Sequence, residues 1–292
     1  MTGRAPATDP WTADPSIAGG SGRVVTVVGA SGGLGASTLA VALAVAAARA
    51  GARSVAVDAV LHGGGLDVTA GVEHLPGLRW PDLAGTRGAV DGRALLHGVP
   101  RAAGAAILSA GRGGAGPPPA ERLAATPELL ARAVLALREW ADVVVVDLPA
   151  PHVDVPEGCS TVVLLTGSSA RHLADATATR EALAPVAART GLVVRGSRRG
   201  GMPDSLAEHL TLPLLAAWGD DRAVVADAER GRVPGERGRS RLARLASRLL
   251  GGVMGVGAEV AAGVTVDETT DASAGVAPTV PSGWPDLVGP GR

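Results

Sequence analysis

The segment RVVTVVGASGGLGAST, Arg23 to Thr38, sets a run of Val and Thr against a glycine-rich turn and an Ala/Leu-rich continuation. β-branched residues, then glycines, then strong helix formers predict strand, tight turn and helix in that order. A strand of Val and Thr with no alternation of charged residues is expected to be covered on both faces, which points to α/β arrangements. The turn also carries a chemical expectation. Glycines let the backbone approach an anion closely, the N–H groups of the turn and first helical turn point at it, and the helix dipole favours negative charge. The segment is expected to hold phosphate.

The rest of the chain repeats the alternation. Strands are predicted at Val24–Val28, Ser54–Asp58, Ala105–Ser109, DVVVVD (142–147), STVVLLT (160–166) and LVVRG (192–196). Helices are predicted at Ser37–Ala50, Pro127–Trp140, 171–189 and 239–250, with short elements before the last. Continuous apolar strands separated by helices predict a parallel sheet buried on both faces. Residues 1–22 are rich in Pro, Gly, Thr, Ser and Asp and read as a disordered lead; 251–292 read as a low-complexity tail. One domain over 23–250 is expected between them. The spacing GRGGAG, Gly111 to Gly116, formally matches a dinucleotide fingerprint, but three prolines follow it and no helix grows from its last glycine; it reads as a surface loop.

Composition narrows the chemistry. The net charge of −1 gives no basic field for nucleic acid. The N-terminus lacks an apolar signal region and no run of apolar residues is long enough to span a bilayer. The single cysteine, Cys159, excludes an internal disulfide framework and fits a reducing cytoplasm, with peripheral contact to a membrane through 239–250 left open. Lys, Tyr, Phe, Asn and Gln are absent, and all 27 cationic residues are Arg. A mechanism that needs a lysine or a tyrosine from this chain is therefore excluded. The six histidines show no metal-ligand spacing.

Two known loops share the pattern at Gly29–Thr38. Read as Gly29-x-x-x-Gly33-Leu34-Gly35 it resembles the dinucleotide loop of short-chain dehydrogenases; read as Ser31 to Thr38 it resembles the phosphate loop of MinD/ParA ATPases without its lysines. Asp58 suits either, as a ribose ligand in the first and near the magnesium site in the second. Two features favour the second. The dehydrogenases use a Tyr-x-x-x-Lys pair, which this chain cannot supply. DVVVVDLPAP sets Asp147 at the end of an apolar strand, the arrangement in which a carboxylate orients magnesium or its water.

From Val24 to about Leu250 the chain resembles the CpaE-like, septum site-determining branch of the MinD/ParA superfamily. The carrying segments are GASGGLGASTLAVALA, VAVDAVLHGGGLDVTAGVEHLPGLRWPDLAG, ILSAGRGG, VVVVDLPAP and AERGRVPGERGRSRLARLASRLL. The resemblance implies a P-loop NTPase-like three-layer α/β/α sandwich with a mainly parallel sheet. It implies a spatial regulator of septum placement, or of Tad-type pilus or secretion assembly, with protein partners from those machines and a homodimer allowed. It places ATP or ADP on Gly32, Gly33, Leu34, Gly35, Ala36, Ser37 and Thr38, with Mg2+ near Ser37, Asp58 and Asp147.

The departures weaken that expectation. The superfamily's signature lysine falls at Ser31, its Walker lysine at Ala36, and the second acid of its switch I at Val60. Nucleotide is accordingly expected to bind weakly or not at all, with no measurable turnover by the chain alone. Two alternatives stay open: an ATPase completed by a partner or second protomer, and an NAD(P)-loop protein without dehydrogenase catalysis. The helix SRLARLASRLL sets leucines on one side and arginines on another, and is expected to pack on the core rather than lie on a membrane.

Overall fold

Valine-rich strands alternate with helices from Arg23 to Met254. A computed structural model describes residues 22–59, 65–110, 126–150, 155–185, 189–196 and 201–254. The expectations for the lead before Gly22, the tail beyond Met254, the GRGGAG loop, Val60, His62 and His152 lie outside the described residues. The strands are β1 (Arg23–Gly29), β2 (Ser54–Asp58), β3 (Arg101–Ala102), β4 (Ala105–Leu108), β5 (Val143–Pro149), β6 (Cys159–Thr166), β7 (Thr190–Arg195) and β8 (Leu214–Trp218). The helices are α1 (Ala36–Arg49), α2 (Leu66–Ala70), α3 (Trp80–Leu83), α4 (Gly92–Gly98), α5 (Pro127–Trp140), α6 (Ala170–Leu183), α7 (Met202–Leu210), α8 (Arg222–Ala228) and α9 (Arg241–Met254).

These form one eight-stranded sheet in the order β3-β4-β2-β5-β1-β6-β7-β8. Every described pairing is parallel except β3 with β4. Alternating side chains divide the core between the two faces. Val25 and Val27 of β1 join the cluster under α1 and α9, with Leu39, Leu43 and Leu245. Val24 and Val28 join the opposite cluster, under α4 to α7, with Trp80, Leu96, Leu137 and Leu206. The sandwich expected from the sequence is therefore present.

Strand order separates the two loop readings. In a dinucleotide-binding sheet the first two strands are neighbours. Here β5 lies between β1 and β2, so the end of β2 is one strand removed from the glycine loop. The chain leaves β1 toward β2 on one side and later passes from β5 to β6 on the other. That reversal opens a crevice at the carboxyl ends of β1 and β5, where α/β sheets bind ligands.

Some boundaries differ from expectation. α6 stops at Leu183, one residue short of Pro185, which has no N–H to carry the helical ladder further. The two-residue β3 was not foreseen; its hairpin turns on Ala103 and Gly104, both at positive φ. The edge strand β8 was also missed: its apolar run is five residues long and lacks β-branched residues, so its local signal for a strand is weak.

α9 packs on the sheet as expected. Leu242, Leu245, Leu249 and Leu250 are buried, while Arg241, Arg244 and Arg248 are exposed. No described helix is long and apolar enough to cross a membrane. The folded protein is expected not to float with liposomes containing anionic lipid. Flotation that a Leu245→Glu variant loses while keeping its fold would contradict this packing.

Candidate functional site

β1 ends at Gly29, and the chain turns through Ala30–Gly35 before α1 begins at Ala36. Gly33 and Gly35 hold φ at 76° and 90°, where a side chain would be strained. A Cβ on Gly32 or Gly33 would meet no atom within 4 Å, so the backbone faces open space there. On Gly35 it would lie 3.3 Å from the indole of Trp218, which packs against the turn. The Ala30 N–H donates to the Leu165 carbonyl at 2.9 Å and ties the loop to β6. Gly29–Thr38 and Asp147–Ala150 together line an open cavity of about 490 Å³. The structure thus brings Gly32, Gly33, Leu34, Gly35, Ala36, Ser37 and Thr38 to one place with Asp147. Leu34 sends its side chain into the core and offers only backbone.

Sheet register sets Asp147 beside Val27 of β1 and beside Asp58 of β2. Burial pushes the Asp147 carboxyl up to about 7; a hydrogen bond from the Ser37 hydroxyl opposes the rise, and the Asp58 charge adds to it. Asp58 does not line the cavity. Its Oδ2 accepts the Leu66 N–H at 2.8 Å and the Ser109 hydroxyl at 2.9 Å. Its carbonyl accepts Trp80 Nε1 at 2.7 Å. The three expected magnesium ligands are therefore divided. Ser37 and Asp147 are in the cavity, and Asp58 is one strand away, holding α2 and α3.

Asp58 opens into a buried polar network. The Ser109 hydroxyl also lies 3.0 Å from Asp67 Oδ1, so one hydroxyl proton serves two carboxylates. Asp67 Oδ2 is 3.7 Å from Arg79 Nε. The Arg79 guanidinium donates to the carbonyls of Val72, Leu75, Gly77 and Leu78 at 3.1–3.3 Å. Asp67, whose place in the sequence suits a switch site and a helix cap equally, is thus an anchor in this network. Trp80 is fully buried rather than a partner contact.

Other candidates are ordinary. Ser160 donates to the Val24 carbonyl, and Ser169 caps α6 through the His172 N–H. Cys159 Sγ lies 3.2 Å from Thr26 Oγ1 at the foot of β6. Among the described residues no group of His, Cys, Asp and Glu could hold a metal by itself.

Sequence reasoning missed two contributors. Asp175 of α6 accepts the Ser31 hydroxyl at 2.6 Å, a contact between residues 144 apart that no motif announces. Arg195, at the end of β7, stacks over the Trp218 ring at 4.1 Å and so stiffens the floor under Gly35. A second cavity of about 240 Å³, lined in part by Val68, Val224, Asp227, Arg237 and Leu242, shares Thr38 with the first.

The site can be tested against a magnesium nucleotide. The N–H cradle and the two positive-φ glycines fit a polyphosphate. Ser37 and a buried carboxylate disfavoured as an anion fit a divalent cation, which would relieve that cost. None of the residues lining the phosphate cavity is Lys, Arg or His. The lining offers donors for phosphate and a carboxylate for a cation; it lacks the positive charge that a phosphoryl transition state requires.

No family model matches the sequence. Two uncharacterized proteins from strains of Mycobacterium tuberculosis are 36% identical over 239 residues, covering 79% of this chain. The chain spans 63% of the length of those relatives. Among solved structures, a ParA family ATPase from Chlorobium tepidum superposes with a TM-score of 0.66 at 18% identity, covering 78% of this chain and 98% of the other. The septum site-determining protein MinD of Pyrococcus horikoshii, complexed with Mg-ADP, gives 0.64 at 20% identity, covering 82% and 97%. MinD in a MinC:MinD cell division complex of Aquifex aeolicus gives 0.64 at 15% identity, covering 80% and 96%. The chain has the MinD/ParA P-loop ATPase fold.

Proposed function

We propose that this chain is a spatial regulator of the MinD/ParA kind, which holds a magnesium nucleotide on Gly32–Thr38 without turning it over unaided. The observation that carries the reading is the cavity itself: a glycine-built N–H cradle with Ser37 and Asp147 beside it and no cationic side chain lining it. The phosphates lie on the backbone donors of the loop. Ser37 and Asp147 would hold Mg2+, with Asp58 behind them. The second cavity, which shares Thr38 with the first, would take the nucleoside. When bound, the metal neutralises phosphate charge; the chain's own residues position and bind. By its sequence resemblance to the CpaE-like branch, the protein serves septum placement or Tad-type pilus or secretion assembly through protein partners, MinC being the kind of partner a MinD relative takes.

Binding is tested by thermal shift with Mg-ATP, Mg-ADP and NAD. A nucleotide at 100 times its dissociation constant is expected to add about 2.7 kcal/mol of stability. Gly35→Asp, which puts a strained carboxylate into the cradle, is expected to abolish the shift. No shift at millimolar Mg-nucleotide, or the same shift in Gly35→Asp, would sink the reading. Phosphate release by the purified protein is expected to stay at background, since one missing electrostatic donor is worth ~10²–10³ in rate. Turnover by the protein alone that Asp147→Ala abolishes would make it an ATPase. Turnover that appears only with a candidate partner, or rises faster than linearly with protein concentration, would point to a site completed in trans.

A further inference from the structure

We infer that Asp175 makes the loop selective for the less charged nucleotide, diphosphate over triphosphate; this rests on the nucleotide reading of the site. Two parts of the cavity differ in sign. At the start of α1 the N–H groups and the helix dipole attract anions. At Ser31 the wall is tied to a carboxylate: the Ser31 hydroxyl donates to Asp175 Oδ2 at 2.6 Å. A hydrogen bond to a charged acceptor at that distance is a strong one, so it fixes both the Ser31 side chain and the charge behind it. Ser31 itself lines the cavity.

The charge is poorly compensated. The one ion-pair partner recorded for Asp175 among the described residues is Arg171, with Nε 4.0 Å away and its side chain 89% exposed. Such a pair is worth little in water. The cavity wall supplies no cation of its own, and Asp175 stands behind it through Ser31. A diphosphate can stay close to the helix end. A third phosphate adds charge and length, and extends the anion through a cavity whose Ser31 side is negative. Asp175 is the charge placed to make that discrimination.

The test is calorimetric titration of the purified chain with Mg-ADP and with Mg-ATP. Three proteins are compared: wild type, Asp175→Asn and Ser31→Ala. Asparagine keeps an acceptor for Ser31 and removes the charge; alanine at position 31 removes the hydrogen bond and keeps the charge. Wild type is expected to bind Mg-ADP the more tightly. Asp175→Asn is expected to improve Mg-ATP affinity by about tenfold, the scale for one charge a few ångströms away at a solvated protein surface, with a smaller gain for Mg-ADP. Ser31→Ala is expected to retain the wild-type preference, and added salt to weaken it. A wild type that prefers Mg-ATP, or an ADP-to-ATP ratio unmoved in Asp175→Asn, overturns the role of Asp175 while leaving the nucleotide reading intact. Absence of binding by both nucleotides to wild type and to Asp175→Asn overturns the nucleotide reading and this inference with it.

Discussion

Replacing Arg79 by methionine is expected to destabilise the protein by about 3–5 kcal/mol, the range for breaking a buried charge pair from one side. Methionine keeps most of the length and the apolar stem but has no donor. Four carbonyls, of Val72, Leu75, Gly77 and Leu78, would lose the guanidinium that now satisfies them. Asp67, with no exposed surface, would lose its only ion pair among the described residues. Arg79→Lys is expected to recover little, because one ammonium cannot reach carbonyls arranged around a planar fork. Urea unfolding measures both variants. A loss below about 1 kcal/mol for Arg79→Met would show that water or a rearranged turn replaces the network. The change should also loosen Ser109 and Asp58, and with them the neighbour of Asp147, so nucleotide affinity is expected to fall beyond what the stability loss explains.

Asp147→Asn is expected to act in the opposite direction. The folded protein holds this carboxyl at about 7, because burial disfavours its charged form and Asp58 stands beside it. The unfolded chain releases the same proton near the ordinary value of 3.8. Between those values the native state binds the extra proton, so stability falls as pH rises through the window and the full cost is present above pH 7. At pH 8 the isosteric amide removes a buried charge. A gain of about 2–4 kcal/mol is expected, since each tenfold change in proton affinity is worth roughly 1.4 kcal/mol. Near pH 4 the two proteins should be equally stable. Denaturation at a series of pH values checks this; parallel curves for the two proteins would refute it. Millimolar Mg-nucleotide at pH 8 should stabilise wild type more than Asp147→Asn, because the neutral amide is a weaker ligand for a divalent cation than the ionised carboxylate.

The alternation of valine strands with helices was legible without coordinates, as were the limits of β2 and α5. Apolar runs and helix periodicity are local properties, and burial on both sheet faces makes the runs continuous. The loop was legible for the same reason: Gly32, Gly33, Gly35, Ser37 and Thr38 are consecutive or nearly so, carried by one turn and the start of α1. Asp147 could be found because it ends an apolar strand. Asp175 could not, since an aspartate inside α6 has no signal of its own and meets Ser31 only through the packing of α6 beside β6. The partners of Arg79 were hidden likewise, because they are main-chain carbonyls, which leave no trace in side-chain identity.

Sequence by itself determined that this chain forms a buried parallel sheet, that a phosphate-type turn follows its first strand, and that no lysine can serve there. Those follow from residue type and spacing along one short stretch at a time. Tertiary structure alone decided that β5 would lie between β1 and β2, which excludes the dinucleotide arrangement and brings Asp147 against both the loop and Asp58. It also decided that Asp58 would give its Oδ2 to Leu66 and Ser109, and that Asp175 would face Ser31. Strand order and helix docking join residues tens to more than a hundred positions apart. The protonation of Asp147 and the charge of the cavity are set by those junctions, because burial and neighbouring charge are properties of the assembled site.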